Sequence, residues 1–561
     1  MKKIKYYIAS LACILSMTAC NDFLDLKQQG TENSDNYFNT PDNAEIAING
    51  VYDMLQLDEG SGPDGQWLGG HFDFFLGDMT SDDSEKGSTA TDNSALLNII
   101  GGTATSSLDQ GQNFWIHGFW GVSRANFVLE GIEGKTWDKD VRDRIKGEAL
   151  FLRAYFNWYL VRMFGPIPLF TKSVQPSDFV KVQRSSVNEV YAQIAKDLTE
   201  AATLLPKRSQ YTSKQMGKAT SGAANALLAR VYMYQIGTDP NNTTVGWQQV
   251  FDATQAVIKS NEYKLLKNYA MAWETENDNS TEGVFEIQFG KGSEEYAPGS
   301  IGTNFNQYQG NRANDNGWGF NEPTVSLYDE FEDGDPRLSC TVYGESFNNG
   351  ILYGVKSKFD AAQMGSPWLS RKAALPEKPA IARAADRNIR IIRYYDVLLM
   401  DAEAAYHINK NDVAQSDLEL VRARARNSSY CKGYAEGKND YSAAPTETSK
   451  LLPKVTATGE SLLNAIWHER RVELAMEGLR FYDLVRTGRF LNVMKAEKYS
   501  ERQSGGKYSG IYNDVVNKYF EGIYDNLSRH CFDGPNGNKV YVLAVPLTET
   551  QSYGLEQNPG Y

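Results

Sequence analysis

The sequence of 561 residues has only five histidines and five cysteines, and their positions exclude most catalytic and metal-binding motifs. No two cysteines form a C-x-x-C motif, so neither a zinc clip nor a thiol redox site is indicated. Cys340, Cys431 and Cys531 allow at most one disulfide. His468 begins a segment like the H-E-x-x-H helix of zinc proteases, but Val472 replaces the second ligand. No G-x-S-x-G elbow, P-loop or dinucleotide fingerprint occurs, so we expect no enzyme activity, no cofactor and no catalytic metal.

Basic residues are fewer than acidic residues: the chain has 57 Lys and Arg and 70 Asp and Glu, which gives a net charge of −13. Such a surface repels phosphate backbones, and no Lys/Arg-rich block offsets it, so nucleic acid is excluded as a partner. The acidic clusters Asp82-Asp83 and Glu332–Asp335 do not match an EF-hand loop and leave calcium open. Glycoside hydrolysis needs two carboxylates placed in space, which sequence spacing does not reveal, so a surface glycoside hydrolase stays an alternative.

Long apolar runs are missing beyond the N-terminus, where no stretch reaches the roughly 18 residues of a membrane span. Residues 1–19 are typical of a bacterial secretory leader, with three lysines before an apolar stretch. The leader ends in Ser16–Cys20, which resembles a lipobox, so we expect Cys20 to carry the lipid anchor. The following Asn21–Asp25 resembles a surface-export signal. The N-terminus therefore predicts a lipid-anchored protein on the outward face of the outer membrane.

Apolar residues at three- and four-residue steps predict a series of α-helices. Prolines after Gly165 and Leu205 end two of the helices. Small residues between Ala223 and Ala253 loosely resemble the tetratricopeptide pattern, which is about 34 residues long, and this predicts an α-solenoid-like half. The predicted helices cover 140–163, 187–205, 219–235, 247–260, 394–407 and 413–426, and short strands are predicted at Val284–Phe289 and Lys539–Val545.

Stretches rich in Gly, Asn, Ser and Asp separate these helices, and several of them carry Trp and Tyr. They cover 57–70, 84–112, 290–320, 340–385, 428–458 and 500–538. Long irregular segments that retain aromatic residues favour ordered binding loops over disorder. A flat aromatic face suits the C–H groups of a sugar ring, while Asn and Asp suit its hydroxyls. The predicted ligand-binding residues are Trp318, Trp67, Tyr296, Asn316, Trp273 and Trp368, whereas the helical Trp120, Trp158, Trp247 and Trp467 are assigned to the core.

Charged and apolar residues alternate at helical spacing in Ile466–Arg489, IWHERRVELAMEGLRFYDLVRTGR. Glu477 with Arg480, and Asp483 with Arg486, are three residues apart, so each pair is predicted to meet on one helix face. A catalytic Arg/Glu cluster is one interpretation. The favoured one is a partly buried ion-pair lattice that fixes the C-terminal helix to its neighbours.

The same segment resembles the signature of the SusD/RagB family of nutrient-uptake outer-membrane lipoproteins. Four further landmarks fit in order along essentially the whole mature chain: AEIAINGVYDML (44–55), FLRAYFNWYLVRMFGPIP (151–168), KATSGAANALLARVY (218–232) and IIRYYDVLLMDAEAA (391–405). The closing Gln557–Tyr561 is similar to the family's end.

The resemblance implies a mostly α-helical fold, with tetratricopeptide-like helix pairs (a SusD-like α-superhelix) packed against a loop-rich region with a few short strands. It implies an N-terminal half, 20–235, and a C-terminal half, 236–561, in one compact unit. The implied function is capture of oligosaccharides, or of peptides in a RagB-like branch, for a SusC-like TonB-dependent transporter that the protein covers as a hinged lid. A lid without a ligand of its own stays open as well.

Overall fold

Helices dominate the computed structural model, which describes residues 37–57, 72–174, 182–291, 302–315, 317–345, 350–353, 355–375, 385–428 and 452–561. Within these ranges there are 19 α-helices, numbered here in chain order. They are α1 Pro41–Gln56, α2 Phe72–Met79, α3 Ala95–Gly101, α4 Asp109–Ile132, α5 Lys139–Phe164, α6 Val187–Leu204, α7 Ser221–Thr238, α8 Trp247–Ile258, α9 Phe305–Gln309, α10 Val325–Glu330, α11 Leu338–Thr341, α12 Tyr394–His407, α13 Asn411–Arg426, α14 Glu460–Glu473, α15 Arg480–Arg486, α16 Phe490–Lys498, α17 Asp514–Asn517, α18 Ile523–Arg529 and α19 Leu547–Tyr553.

The described strands pair only in twos, always antiparallel. The pairs are β1–β3, β2–β8, β4–β7, β5–β6 and β9–β10, so most of them join segments that are far apart in the chain. Their bounds are β1 Ser84–Gly87, β2 Gly283–Ile287, β3 Phe320–Pro323, β4 Val342–Tyr343, β5 Ile351–Leu352, β6 Val355–Lys356, β7 Leu369–Ser370, β8 Ile389–Arg393, β9 Cys531–Asp533 and β10 Lys539–Tyr541.

The predicted series of helix pairs is confirmed. Each helix from α4 to α8 packs on the next, α8 then packs on α12, and α12 packs on α13, so the series continues across the long insertion between α8 and α12. Local signals set the ends: Gly165, with φ 67°, follows α5, and a capping box of Ser186 and Glu189 begins α6. One hydrophobic core draws residues from both predicted halves. The boundary at residue 235 stays a prediction.

The stretch 84–112 was predicted to be irregular, but it contains α3 and the start of α4. Gly101, Gly102 and Gly111 weaken the helical signal there. Further along α4, Gly118 and Gly121 have a packing role, since a Cβ on Gly118 would lie 2.5 Å from Leu160 of α5, and one on Gly121 would lie 2.3 Å from Phe156. The absence of side chains at these two positions therefore lets α4 and α5 approach closely.

The predicted ion-pair lattice is present, but with different partners in one case. Asp483 and Arg486 meet as predicted, at 2.7 Å. Glu477 and Arg480 do not, because α14 ends at Glu473 and α15 begins only at Arg480. Glu477 instead binds two buried cations from the preceding insertion, at 2.8 Å from Lys372 and in direct contact with Arg393.

Both acidic clusters are parts of this lattice. Asp82 pairs with Arg471 and Arg480, at 2.8 Å each, and Asp83 pairs with Arg471 at 2.7 Å. In the second cluster Asp335 lies 2.7 Å from Arg337. Carboxylates that are neutralised by arginines gain little from a cation, so the structure gives no support to calcium at these positions.

Two further observations concern the cysteines and the membrane. Cys340 and Cys531 are free thiols, which excludes a disulfide between them, and Cys431 lies outside the described residues. Among the helices described, none combines the length and apolar character needed to cross a membrane.

The lattice also predicts a pH dependence through His468, whose ring contacts Glu330 at 2.7 Å and Glu332 at 3.3 Å. Burial lowers the pKa of His468, but the contacts with both carboxylates outweigh burial and raise the pKa from 6.5 to about 9. Because the folded-state pKa lies above the unfolded one, the stabilisation is full below pH 6.5 and is lost as the pH rises through 9. The His468→Gln variant should lose up to about 3 kcal/mol of unfolding free energy at pH 6 and much less at pH 9.5.

Urea unfolding of both proteins at several pH values measures this difference. Buried Lys86 and Lys372, each with a pKa of about 8, titrate in the same window, so wild type and variant are compared at equal pH. If the difference in unfolding free energy between wild type and variant does not change with pH, the raised pKa is not the source of the stabilisation by His468.

Candidate functional site

Two loops of the predicted binding region touch through their backbones. In the β1–β3 pair Gly87 lies opposite Phe320. The Ser88 N–H then donates to the Gly319 carbonyl at 2.5 Å, and a Cβ on Gly87 would lie 2.2 Å from that same oxygen. Gly87 and Gly319 both have positive φ, so residues without a side chain are required at this crossing. The crossing places loop 88–94 beside loop 310–319.

Loop 310–319 is closed at its base. The Trp318 N–H donates to the Gln307 carbonyl at 2.8 Å, and the Gly319 N–H donates to the Gly310 carbonyl at 2.9 Å. A Cβ on Gly317 would lie 2.2 Å from the Gly310 Cα. The glycines around Trp318 therefore let two backbone segments pack together, which fixes where the indole emerges.

Trp318 is half-buried and packs against the ring of another aromatic residue. Its ring meets Tyr308 edge-on, with centroids 4.6 Å apart, and buried Tyr308 in turn meets Phe75 at 5.2 Å. An indole held this way has part of its surface left for a ligand. Its role as a stacking platform stays a prediction.

Polar groups of the same two loops form a border beside the backbone crossing. The Arg312 guanidinium donates to Ser88 Oγ at 3.0 Å and to Asp92 Oδ2 at 2.6 Å, and both charged side chains are about one-third exposed. Asn314 accepts the Lys358 N–H through its side-chain oxygen, at 2.7 Å. This border offers both charged donors and acceptors to a hydroxyl-rich ligand.

Loop 88–94 is held from beneath by Lys86. Its ammonium donates to the carbonyls of Gly87, Thr89 and Asp92 at 2.9, 2.9 and 2.7 Å, and lies 5.3 Å from the Phe320 ring centroid. Burial lowers the pKa of Lys86 to about 8. A cation with three carbonyl partners fixes the loop that carries Asp92.

The buried carboxylates near this border already have partners. Glu322 accepts the N–H groups of Gly365 and Ser366 at 2.6 and 2.8 Å, and burial raises its pKa well above the usual range. Glu85 forms a salt bridge with Lys498 at 2.6 Å and another with Arg502. These contacts hold the loops together.

Two predicted ligand-binding residues are corrected by the structure. Trp273 is 7% exposed and lies between two cations, with Lys372 Nζ and Arg393 Cζ each 4.5 Å from the ring. Trp368 is 8% exposed and stacks on Tyr328, with centroids 4.4 Å apart. Their loops fold back onto the protein, so neither ring has a free face for a ligand.

Trp67, Tyr296 and Asn316 lie outside the described residues. Trp158 is buried as predicted, but Trp120 is only half-buried and lines a second cleft. Sequence reasoning missed Arg312 and Asp92, because nothing in the local pattern indicates that residues 220 positions apart meet.

Comparison with known proteins gives consistent matches. Residues 22–233 match a family model described as "Starch-binding associating with outer membrane", and residues 281–561 match one described as "SusD family". A SusD-like protein of Formosa agariphila is 24% identical over 579 residues, which cover 95% of this chain and 98% of the relative.

Solved structures agree with the fold. A laminarin-binding SusD-like protein superposes with a TM-score of 0.66 and 26% identity, covering 92% of this chain and 99% of that one. Surface glycan-binding protein A from Bacteroides thetaiotaomicron, in complex with laminarihexaose, has the same TM-score and coverage at 20% identity, which supports the fold alone.

Proposed function

This chain belongs to the SusD family, and on that premise we propose that it is a cell-surface lipoprotein that captures oligosaccharides. It passes them to a SusC-like TonB-dependent transporter and does not cleave them. Association with the outer membrane is part of the family description.

The observation that carries the proposal is the half-buried Trp318 in the same pair of loops as the Arg312–Asp92 ion pair. A sugar ring needs a flat apolar face and polar partners at its edge, and this loop cluster offers both. The family description and the superposed laminarin-binding protein both name binding, which supports capture without cleavage.

The test is calorimetric titration of the soluble chain, residues 21–561, with a panel of oligosaccharides that includes laminarihexaose and maltohexaose, and with a peptide panel. We expect at least one oligosaccharide to bind, and chromatography of the mixture to show no shorter products. If only peptides bind, the ligand of this protein is a peptide and not a glycan. Turnover that disappears with one carboxylate substitution would overturn the non-catalytic assignment.

We expect Cys20, which lies outside the described residues, to carry the anchor. The Cys20→Ala variant should leave the protein unprocessed or release it from membranes, because the lipid chains supply the membrane affinity. Membrane fractionation with labelled lipid measures this, and Cys13→Ala in the leader is the matched control that should behave as wild type. Retained lipid label in the Cys20→Ala protein would refute the assignment.

A further inference from the structure

A second cleft, of about 360 Å³, lies between helix α4, the segment 168–174 and helix α19. Aromatic rings dominate its lining. Phe119 packs against Trp115 with centroids 4.9 Å apart and against Phe170 at 5.6 Å, and Trp120 and Tyr553 also line it. A concave aromatic surface of this kind suits large apolar side chains.

The lining of the cleft includes one cation that can pair with an acidic residue of an occupant. Lys172, an exposed residue, contributes the cationic group of the lining. The lining acid, Glu549, interacts with Trp115 through a side-chain hydrogen bond, and burial raises its pKa.

The described chain begins next to this cleft. The Tyr37 ring lies 6.2 Å from Phe127 of α4, and Phe38 lies 5.0 Å from it. Phe127 is one helical turn beyond Ser123, which lines the cleft. At 1.5 Å per residue, Trp120 is about 10 Å and Trp115 about 18 Å along α4 from Phe127.

The preceding residues, 21–36, contain one apolar group in an otherwise polar segment. Phe23, Leu24 and Leu26 are its large apolar side chains, and Asp22 and Asp25 stand between and beside them. The stretch from 27 to 36 is polar and can span up to about 36 Å when extended, which is enough to reach any part of the cleft. The family match begins at residue 22, so it includes this group.

We propose that Phe23–Leu26 docks in the cleft, with its apolar side chains against Trp120 and its neighbours and its acidic residues towards Lys172. Cys20 is three residues from Phe23, so docking of Phe23 would hold the lipid-bearing residue close to α4 and α19. Without docking, the lipid would be joined to the protein only through residues 21–36. That consequence rests on the proposed lipid anchor, but the docking itself does not.

Trypsin gives a direct readout, because Lys27 is the one basic residue between positions 21 and 36. Release of peptide 21–27 from the soluble chain is followed by mass spectrometry, under conditions where cleavage reports the population of the undocked tail. Phe23→Ser and Trp120→Ala should each speed the release about tenfold or more, and the double variant should be no faster than either. Tyr524→Ala, which truncates an exposed aromatic residue of α18, is the control and should leave the rate unchanged.

Rapid release from the wild type would overturn the proposal, and so would a slow release that Trp120→Ala does not change, since the tail would then dock elsewhere. Protection that depends on protein concentration would indicate a second copy as the occupant and would also overturn it. Melting temperatures check that each variant is folded. No step uses a sugar, so a negative result here does not affect the glycan-binding proposal. A failure to bind oligosaccharides likewise does not affect the docking proposal.

Discussion

Replacing Arg337 with Met should lower the free energy of unfolding by about 3–5 kcal/mol, because it leaves buried carboxylates without their cation. Arg337 is fully buried and bridges three acids, at 2.7 Å from Asp335, 2.5 Å from Glu469 and 2.7 Å from Glu473. Met has a similar length but no charge, so the acids must either be protonated or take up water. Each of these outcomes destabilises the fold.

The matched control is Arg124→Met, because Arg124 pairs with Asp53 at 3.3 Å with both side chains about half exposed. Solvent and salt screen such a pair, so the expected change lies within about 1 kcal/mol. Urea unfolding at pH 7 measures both variants. Equal losses, or a small loss at Arg337, would mean that the lattice does not hold the C-terminal helices as inferred.

Much of the helical framework could be predicted, because periodicity and end signals coincide in it. The predicted helix 394–407 has the bounds of α12, and the one at 140–163 differs from α5 by one residue at each end. Helix α4 could not be predicted equally well, because Gly118 and Gly121 lower helix propensity, while their lack of side chains allows close contact with α5. Tertiary packing decides such cases.

The site was predictable only in part. Composition indicated that Trp318 stands in an ordered loop, but Trp273 and Trp368 stand in similar surroundings and are buried. Local composition identifies a loop without showing which way a ring points. For Trp273 the deciding contacts are Lys372 and Arg393, which come from segments about 100 or more positions away and pack on its faces.

Trp318→Ala should weaken oligosaccharide binding by about 5- to 150-fold, or about 1–3 kcal/mol, by analogy with the loss of a stacking aromatic from other small-ligand sites. The fold should tolerate the change, because Trp318 is half-buried and its loop is closed by the backbone hydrogen bonds to Gln307 and Gly310. Loss of the edge-on contact with Tyr308 accounts for about 0.5–1.5 kcal/mol of stability. Calorimetric titration and thermal unfolding of the same preparation measure both quantities.

Trp368→Ala separates a binding role from a packing role, since it removes the same side chain from a buried position. Trp368 stacks on Tyr328, so its loss should cost about 3–5 kcal/mol of stability, with a large fall in melting temperature. Trp318→Ala should show the opposite pattern, with melting nearly preserved and affinity reduced. If Trp318→Ala melts as early as Trp368→Ala, Trp318 belongs to the core. If neither its melting nor its binding changes, the ligand does not contact this loop, and the site has to be sought elsewhere on the protein.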